Sequence, residues 1–266
     1  EVVSSSSMTY DSLGRAATST DIEGNTTYYE YDTAGRQVAV IQPARDVNGS
    51  TVYHRTETVY DSEGRAYRQI ANISQAADGV NGTPGAISYT DQQVTTYTYD
   101  DLGRVTRTTF DNSTYVETEY DDLGQRIAET DADGNTRRFE YDDLGRMVAV
   151  ILPAVALPGG GGTYHPRYEY VYDARGRQIA IRDNITQTPG SSPTIDDTNV
   201  RETVFTYDER GMQLSRTLPL SQAETFTYND RGQMITHTSF EGVVTAYEYD
   251  TTSGGGGRLL AKHYFV

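Results

Sequence analysis

Short alternating runs of apolar and polar residues, each cut off by a turn signal, follow one another along the chain. Thr118-Glu119-Tyr120 reads as extended, Asp121-Asp122-Leu123-Gly124 as a turn, and Gln125–Thr130 as a return strand. Asp131 to Gly134 turns the chain again, and Thr136–Tyr141 brings it back. An aspartate opening a turn accepts backbone N–H groups, and a glycine closing it tolerates positive φ. A type I turn closed by a left-handed glycine is the common three-residue hairpin, often with a bulge. Alternation over Thr136–Tyr141 puts Phe139 and Tyr141 on one face together with Arg137, so that face is not a uniformly dry core. Arg138 and Glu140 take the other face. The predicted unit is two strands of about six residues joined by two turns. Helix is the losing alternative, because Gly and turn-forming Asp interrupt every long run.

The first of the two turns recurs as a block of Tyr, Asp, two variable residues, Gly and Arg. It stands at Tyr10-Asp11 with Gly14 and Arg15, at Tyr31-Asp32 with Gly35 and Arg36, and at Tyr60-Asp61 with Gly64 and Arg65. It returns at Tyr99-Asp100 with Gly103 and Arg104, at Tyr120-Asp121 with Gly124, and at Tyr141-Asp142 with Gly145 and Arg146. Tyr172-Asp173 with Gly176 and Arg177, Tyr207-Asp208 with Gly211, and Tyr228 with Gly232 complete nine copies, and a decayed tenth begins at Tyr249. Successive tyrosines are 21, 29, 39, 21, 21, 31, 35, 21 and 21 residues apart. A repeat of 21 with four insertions is therefore the organising pattern. Strands lie about 4.8 Å apart, so the recurring tyrosines are expected to form a ladder of packed rings with hydroxyls free to hydrogen-bond at one edge. Asp and Arg bracket each turn with opposite charges, in an exposed pair of about 0.2–1 kcal/mol.

The insertions fall near 43–52, 71–93, 152–167 and 183–200, all within one repeat domain spanning 1–266. They carry Pro43, Asp46-Val47-Asn48-Gly49, Asp78-Gly79, Asn81-Gly82, Pro84-Gly85, Pro189-Gly190 and Ser192-Pro193. They read as solvent loops tolerated by the slow growth of loop entropy, with a binding edge as the rival reading. The turn at Asp111-Asn112-Ser113-Thr114 lacks the expected Gly, so another turn type is expected there. The runs Gly159–Gly162 and Gly254–Gly257 suit either flexible loops or bridges replacing longer segments. The missing initial methionine and the decayed last copy favour a piece of a longer protein.

Composition fits a thin sheet. The apolar fraction is 36%, and tyrosine dominates the aromatics with 22 copies against 6 Phe and 0 Trp. Ring bodies supply packing area while the hydroxyls meet water. A formal charge of −16 disfavours nucleic acid and anionic membrane surfaces. With 0 Cys there is no disulfide framework or thiolate metal site. No apolar run is long enough for a membrane-spanning helix and no signal peptide is visible, so membrane insertion is not expected.

The YDxxGR signature, with its companion turns at Asp21–Asn25 and Asp131–Asn135, resembles the Rhs/YD-repeat family. That resemblance implies a continuous antiparallel sheet wound into a hollow shell, which in bacterial members encloses a toxic polypeptide and in animal teneurins stands at the cell surface. It implies a secreted or cell-surface location, with further YD repeats of a longer parent and an enclosed effector as partners. Plug, self-cleavage and effector sequences are not found here, so the resemblance is to a wall section. Asp250 is followed by Thr251-Thr252-Ser253, so regular winding is expected to stop or deform there. Ten units at about 4.8 Å per strand make a ribbon of roughly 100 Å, enough for one narrow curl or a shallow arc.

Catalytic candidates are few. Tyr164, His165 and Arg167 follow an insertion, and such a group can take a proton from a sugar acid and steady the enolate charge, which is lyase chemistry. The alternative is a strand start with an ordinary polar histidine. Asp208, Glu209, Glu129 and Asp131 lie in or beside turns, which weakens them as paired acids of a glycosidase. Asp131-x-Asp133-Gly134-Asn135 and Asp21-x-Glu23-Gly24-Asn25 offer oxygens to calcium, but neither completes a calcium loop. No cofactor is expected, with calcium as the one alternative. The sequons at Asn25, Asn48, Asn72, Asn81, Asn112 and Asn184 arise easily in a Thr-rich and Ser-rich chain. The expected class is all-β, repetitive antiparallel hairpins forming a curled sheet or part of a YD-repeat shell, with a non-catalytic scaffold role. A carbohydrate-binding or carbohydrate-cleaving repeat domain that faces a surface glycan is the rival.

Overall fold

Strands and tight turns alternate through the computed structural model, which describes residues 5–47, 50–77, 83–157, 159, 161–190, 194–251 and 256–265, and only the backbone of 43–47, 50 and 51. Asn48-Gly49, Asp78-Gly79, Asn81-Gly82, Pro158, Gly160, Ser192-Pro193 and Gly254-Gly255 lie outside the described residues. Every described element is a strand, in keeping with an all-β fold of repetitive antiparallel hairpins. Among the described residues there is no helix long and apolar enough to cross a membrane.

The chain divides into two units, residues 1–119 with 129–134, and residues 120–128 with 135–266. The first contains β1 (Ser7–Tyr10), β2 (Ala16–Thr20), β3 (Thr26–Tyr31), β4 (Gln37–Val47), β5 (Ser50–Tyr60) and β6 (Ala66–Ala77). It continues through β7 (Pro84–Ser88), β8 (Gln93–Tyr99), β9 (Val105–Thr109) and β10 (Tyr115–Tyr120). β1 to β6 pair in succession, β6 then takes β8, and β8 to β10 continue the antiparallel meander, while β7 lies on the far end of β6. β11 (Arg126–Thr130) spans the division of the chain.

The second unit carries β12 (Thr136–Tyr141), β13 (Met147–Ile151), β14 (Val155–Ala156), β15 (Thr163–Tyr172), β16 (Gln178–Gln187) and β17 (Ile195–Asp196). It closes with β18 (Arg201–Tyr207), β19 (Gln213–Thr217), β20 (Ala223–Tyr228), β21 (Met234–Thr238), β22 (Val244–Tyr249) and β23 (Leu259–Phe265). Here the meander runs β12, β13, β15, β16, β18 and then in order to β23, with β14 on β15 and β17 on β16.

The turn chemistry explains the regularity. In the first copy the Gly14 N–H donates to the Asp11 carbonyl (3.0 Å) and the Asp11 N–H to the Arg15 carbonyl (2.8 Å), with Gly14 at φ 78°. This is the three-residue hairpin, and the strand register shifts by a bulge at the tyrosine. The same shift occurs at Tyr31, Tyr60, Tyr99, Tyr141, Tyr172, Tyr207, Tyr228 and Tyr249. The turn lacking glycine is not of another type. Ser113 adopts φ 66° and donates its N–H to the Phe110 carbonyl, and Ser221 does the same at φ 67° toward Leu218. Winding also continues past Asp250. Its N–H reaches the Arg258 carbonyl (2.8 Å), and Tyr249 pairs with Leu259, so the longer loop is absorbed without loss of the next strand.

The insertions are not plain solvent loops. They lengthen strands: β4, β5 and β6 run to 11, 11 and 12 residues, and β15 and β16 to 10 each. Ile41, Tyr53, Ile70 and Ile73 are buried on these strands in the first unit, and Ala180 and Ile185 in the second, beside Ile151 of β13. Wider strands give a thin sheet enough neighbouring side chains to cover one another.

Replacing Ser221 by Gly should stabilise the protein by about 0.5–1 kcal/mol, because an L side chain is strained at positive φ. The converse Gly211→Ala, at φ 88° and with open space around it, should destabilise by about 1 kcal/mol. Urea midpoints of the two variants check both signs.

Candidate functional site

Each signature aspartate is fully used by its own turn. Asp11 Oδ1 accepts the Leu13 and Arg15 N–H groups (both 2.9 Å), and Oδ2 accepts Arg15 Nε (2.7 Å). Asp32, Asp61, Asp100, Asp142 and Asp173 repeat the arrangement. The Asp–Arg pair expected to be exposed is half-buried. Hydrogen bonds from the following arginine N–H hold Asp11, Asp32, Asp100 and Asp173 below the ordinary aspartate range, and at Asp142 the Arg146 guanidinium is the main cause.

The tyrosines do not form the expected ring-on-ring ladder. Five joints alternate guanidinium and ring instead. Arg15 lies over Tyr31 at 4.4 Å, Arg36 over Tyr60 at 4.6 Å, Arg65 over Tyr99 at 4.7 Å, Arg146 over Tyr172 at 4.8 Å and Arg177 over Tyr207 at 5.0 Å. The hydroxyls bond to backbone carbonyls of the preceding copy. Tyr31 donates to the Ala16 carbonyl (3.0 Å), Tyr60 to Gln37 (2.9 Å), Tyr99 to Ala66 (2.7 Å), Tyr172 to Met147 (2.9 Å) and Tyr207 to Gln178 (2.7 Å). The arginine of one copy thus caps the tyrosine of the next, and that tyrosine reaches back to the residue after the arginine. Tyr141 keeps the back-bond, to Arg126 (2.8 Å), although Gln125 stands in arginine's place. The hollow beside Asp173 and Tyr207 is such a joint, filled by Arg177 Nη1 on the Asp208 carbonyl (2.8 Å) and Arg175 Nη1 on that of Glu209 (2.9 Å).

Arg167 is only 7% exposed and is held by Glu140 Oε1 and Oε2 (2.8 and 2.6 Å), Glu169 (2.9 Å) and Gln187 (3.1 Å). The guanidinium is thereby committed to two carboxylates. His165 Nδ1 lies 2.8 Å from the Leu152 carbonyl, where the backbone also pairs through Leu152 N–H and the Pro166 carbonyl. Tyr164 pairs with Val155 at the end of β15. Alternation along β15 gives His165 and Arg167 one face and Tyr164 the other.

The first unit holds the same cluster. Arg55 binds Glu30 through Nη1 and Nη2 (2.7 and 2.5 Å) and Glu57 through Nε (2.6 Å). The Arg55 side chain raises above its ordinary value because of Glu30, and Glu30 is lowered by Arg55. Ile73 faces Arg55 across the strands as Ile185 faces Arg167, and Tyr53 stands opposite Gln75 as His165 stands opposite Gln187. Tyr53 meets Tyr28 edge-on at 5.9 Å. Sequence reasoning missed this pair of clusters. The available signal was the likeness of Val38-Ala39-Val40-Ile41 to Val148-Ala149-Val150-Ile151, each followed by an Arg-x-Glu at strand parity.

Of the carboxylates considered as glycosidase acids, Asp208 Oδ1 accepts the Arg210 and Met212 N–H groups (2.9 and 2.8 Å). Asp21 spends Oδ1 on Glu23 and Asn25 N–H and Oδ2 on Asn25 Nδ2 (all 2.9 Å), as turn chemistry requires. Asp131 receives the Asp133 N–H (3.0 Å). Among the described residues, no three His, Asp or Glu side chains are placed to hold a metal ion.

The family model described as RHS Repeat matches residues 10–47 and 120–154. A search of curated proteins finds no significant match. Among solved structures, the chain is 14% identical to a TcdB2-TccC3 structure without its hypervariable C-terminal region, at a TM-score of 0.31, covering 97% of this chain and 16% of that one. It is 13% identical to a Photorhabdus luminescens Tc holotoxin pore carrying a TccC3 mutation, at a TM-score of 0.33 with the same coverage. A porin-like protein from Bacteroides uniformis is 13% identical at a TM-score of 0.27, covering 85% of this chain and 93% of that one. The chain therefore spans about 16% of the length of the first of these.

Two measurements test the site. Arg167→Ala should lower stability by roughly 3 kcal/mol, since Glu140 and Glu169 lose their shared cation beside buried Ile185. The turn aspartates have folded pKa values below their unfolded ones, so their contribution is present above the ordinary aspartate value and is lost as pH falls through the folded values. The urea midpoint should be flat near neutrality and drop below about pH 4.

Proposed function

Because this chain carries RHS repeats, the YD repeats of the Rhs family, we propose that it is a non-catalytic wall section of a secreted or surface-associated shell that encloses or displays another polypeptide. The observation that supports this reading is where the reactive side chains go. Tyrosine hydroxyls, guanidiniums and aspartate oxygens of the signature are consumed between and within repeats, so the sequence motif is a building joint. An enzyme of this size is expected to leave a nucleophile, acid or base free in a cleft. Here the histidine and arginine considered for lyase chemistry bind a carbonyl and two carboxylates. The partners implied are further YD repeats, an enclosed polypeptide and other protein chains of the same shell.

The test has a structural arm and a chemical arm. Tyr172→Phe should cost about 1 kcal/mol in urea unfolding, because the Met147 carbonyl loses its donor. Polygalacturonate, alginate and hyaluronate should neither be depolymerised, as read by ultraviolet absorbance of unsaturated uronates, nor retard the protein in affinity electrophoresis. Turnover of any of them that disappears in His165→Ala would replace the wall with the carbohydrate-cleaving reading, and retardation abolished by Tyr164→Ala would replace it with glycan binding.

A further inference from the structure

The clusters around Arg55 and Arg167 are built alike but differ at one edge. Strand pairing equates them residue by residue. Glu57 faces Ile70 and Ile70 faces Val94 in the first unit, while Glu169 faces Arg182 and Arg182 faces Glu202 in the second. Gln75 faces Ile87 of β7 as Gln187 faces Ile195 of β17. The turn that follows closes in the same way, with the Gln92 N–H on the Tyr89 carbonyl (3.5 Å) and the Val200 N–H on the Asp197 carbonyl (3.1 Å). Asn72 and Asn184 bind the carbonyls of Asp91 and Asn199 at the same point of each turn (2.9 and 2.7 Å). Tyr89, Gln92 and Val94 of the first unit therefore correspond to Asp197, Val200 and Glu202 of the second.

In the first unit this place is filled. The Tyr89 hydroxyl donates to Glu57 Oε1 (3.2 Å), beside the apolar pair Ile70 and Val94. In the second unit a pocket of about 290 Å³ opens there, lined by Glu169, Arg182, Ile185, Asp197, Val200 and Glu202. An aspartate is too short to cross the gap that a tyrosine ring spans. The apolar pair is replaced by an ion pair, with Arg182 Nε on Glu202 Oε1 (2.7 Å), and Arg167 Nε meets Glu169 Oε1 (2.9 Å). Among the described residues no donor reaches the second oxygen of either glutamate or the Asp197 carboxylate. Glu140, Glu169, Asp197 and Glu202 thus outnumber the guanidiniums of Arg167 and Arg182, while Arg201 on the opposite face is paired with Asp183 (2.7 Å). Buried Ile185 and half-exposed Val200 supply apolar wall.

We propose that this pocket binds a cationic side chain, arginine or lysine, of another polypeptide, laid where Tyr89 lies in the first unit. The first unit shows what the place accepts: a long side chain with apolar body and a hydrogen-bond donor at its tip, pointed at the glutamate. A neutral hydroxyl suffices there, because Ile70 and Val94 carry no charge. In the second unit Asp197 and Glu202 add two carboxylates against the one guanidinium of Arg182, so the donor must bring a positive charge. Its methylene stem packs on Ile185 and Val200, and its head makes charge-assisted hydrogen bonds to the acids. Among the described residues no three acids are placed to hold a metal ion, which leaves an organic cation. The overall charge of −16 steers a basic segment toward the protein.

The probe is a short peptide, capped at both ends, with a single arginine among glycines, and its neutral match carries citrulline instead. With methyl-labelled protein, the arginine peptide should shift the Ile185 and Val200 resonances with a dissociation constant in the millimolar range of a single side chain, and the citrulline peptide should not. Asp197→Asn should weaken binding several-fold, whereas Asp143→Asn, the same charge change on an exposed turn, should leave it unchanged. Urea midpoints at the wild-type value show that both variants fold. Asp197→Tyr should raise the midpoint and abolish the shifts, because the ring closes the pocket as Tyr89 does in the first unit. The proposal is overturned if the two methyl resonances do not respond to the arginine peptide, or respond equally to citrulline. It is equally overturned if Asp143→Asn weakens binding as much as Asp197→Asn, which would mean diffuse attraction to an acidic surface. A shell wall without this pocket remains a wall, so the two readings fail separately.

Discussion

A tyrosine pinned between the guanidinium and the backbone carbonyl of the preceding repeat is the contact on which the architecture rests. A sheet with few deeply buried side chains cannot rely on a thick apolar interior, and each repeat by itself is a hairpin too small to be stable in water. The joint supplies what the hairpin lacks. The ring gives apolar area, the guanidinium stacks on it for about 0.5–1 kcal/mol, and the hydroxyl adds a hydrogen bond of similar size. Asp sets the stage for all three, because it orients the arginine while closing the turn. Small terms summed along a one-dimensional array give a stability that depends on neighbours more than on any single residue.

The second source of stability is local and duplicated. In each unit neighbouring strands bring an arginine, two glutamates and a few isoleucines together, and most of the buried apolar side chains lie there. A buried guanidinium is costly unless every donor is met, and here Glu30 with Glu57, and Glu140 with Glu169, meet them. The cluster fixes the register of three adjacent strands, since a slip by one residue would bury a glutamate without its arginine. Asn72 and Asn184 adopt positive φ just before the buried isoleucines and donate to the carbonyls of Asp91 and Asn199. They redirect the chain where the wide part of the strand begins.

The strands, the turns and the bulge at each tyrosine were legible in the sequence because they depend on residues within five positions of one another. Asp11, Gly14 and Arg15 carry their own instructions. What was not legible joins residues farther apart. Arg15 and Tyr31 meet across two strands, and only the bulge register decides that a guanidinium, and not a second ring, lies on the tyrosine. Arg55 and Glu30 are farther apart again, on either side of a segment whose Pro43 and Gly49 read as loop. Ser113 misled for a different reason: turn propensity names glycine as the cheapest left-handed residue, but the neighbouring ladder supports the more costly serine. Asp250 shows the same dominance of pairing over local signal, because β22 holds β23 in register across a longer connection.

The arginine that follows each glycine serves the tyrosine of the next copy, so the functional boundary between repeats is staggered against the one written in the sequence. Any copy that starts with Tyr-Asp and ends with Gly-Arg offers the same tyrosine behind it and the same arginine ahead. Removing or duplicating a 21-residue copy flanked by these residues therefore leaves one proper joint where the cut was made. The joints behind Gln125, Met212 and Gln233 are the exceptions, because these residues stand where the other copies have the arginine.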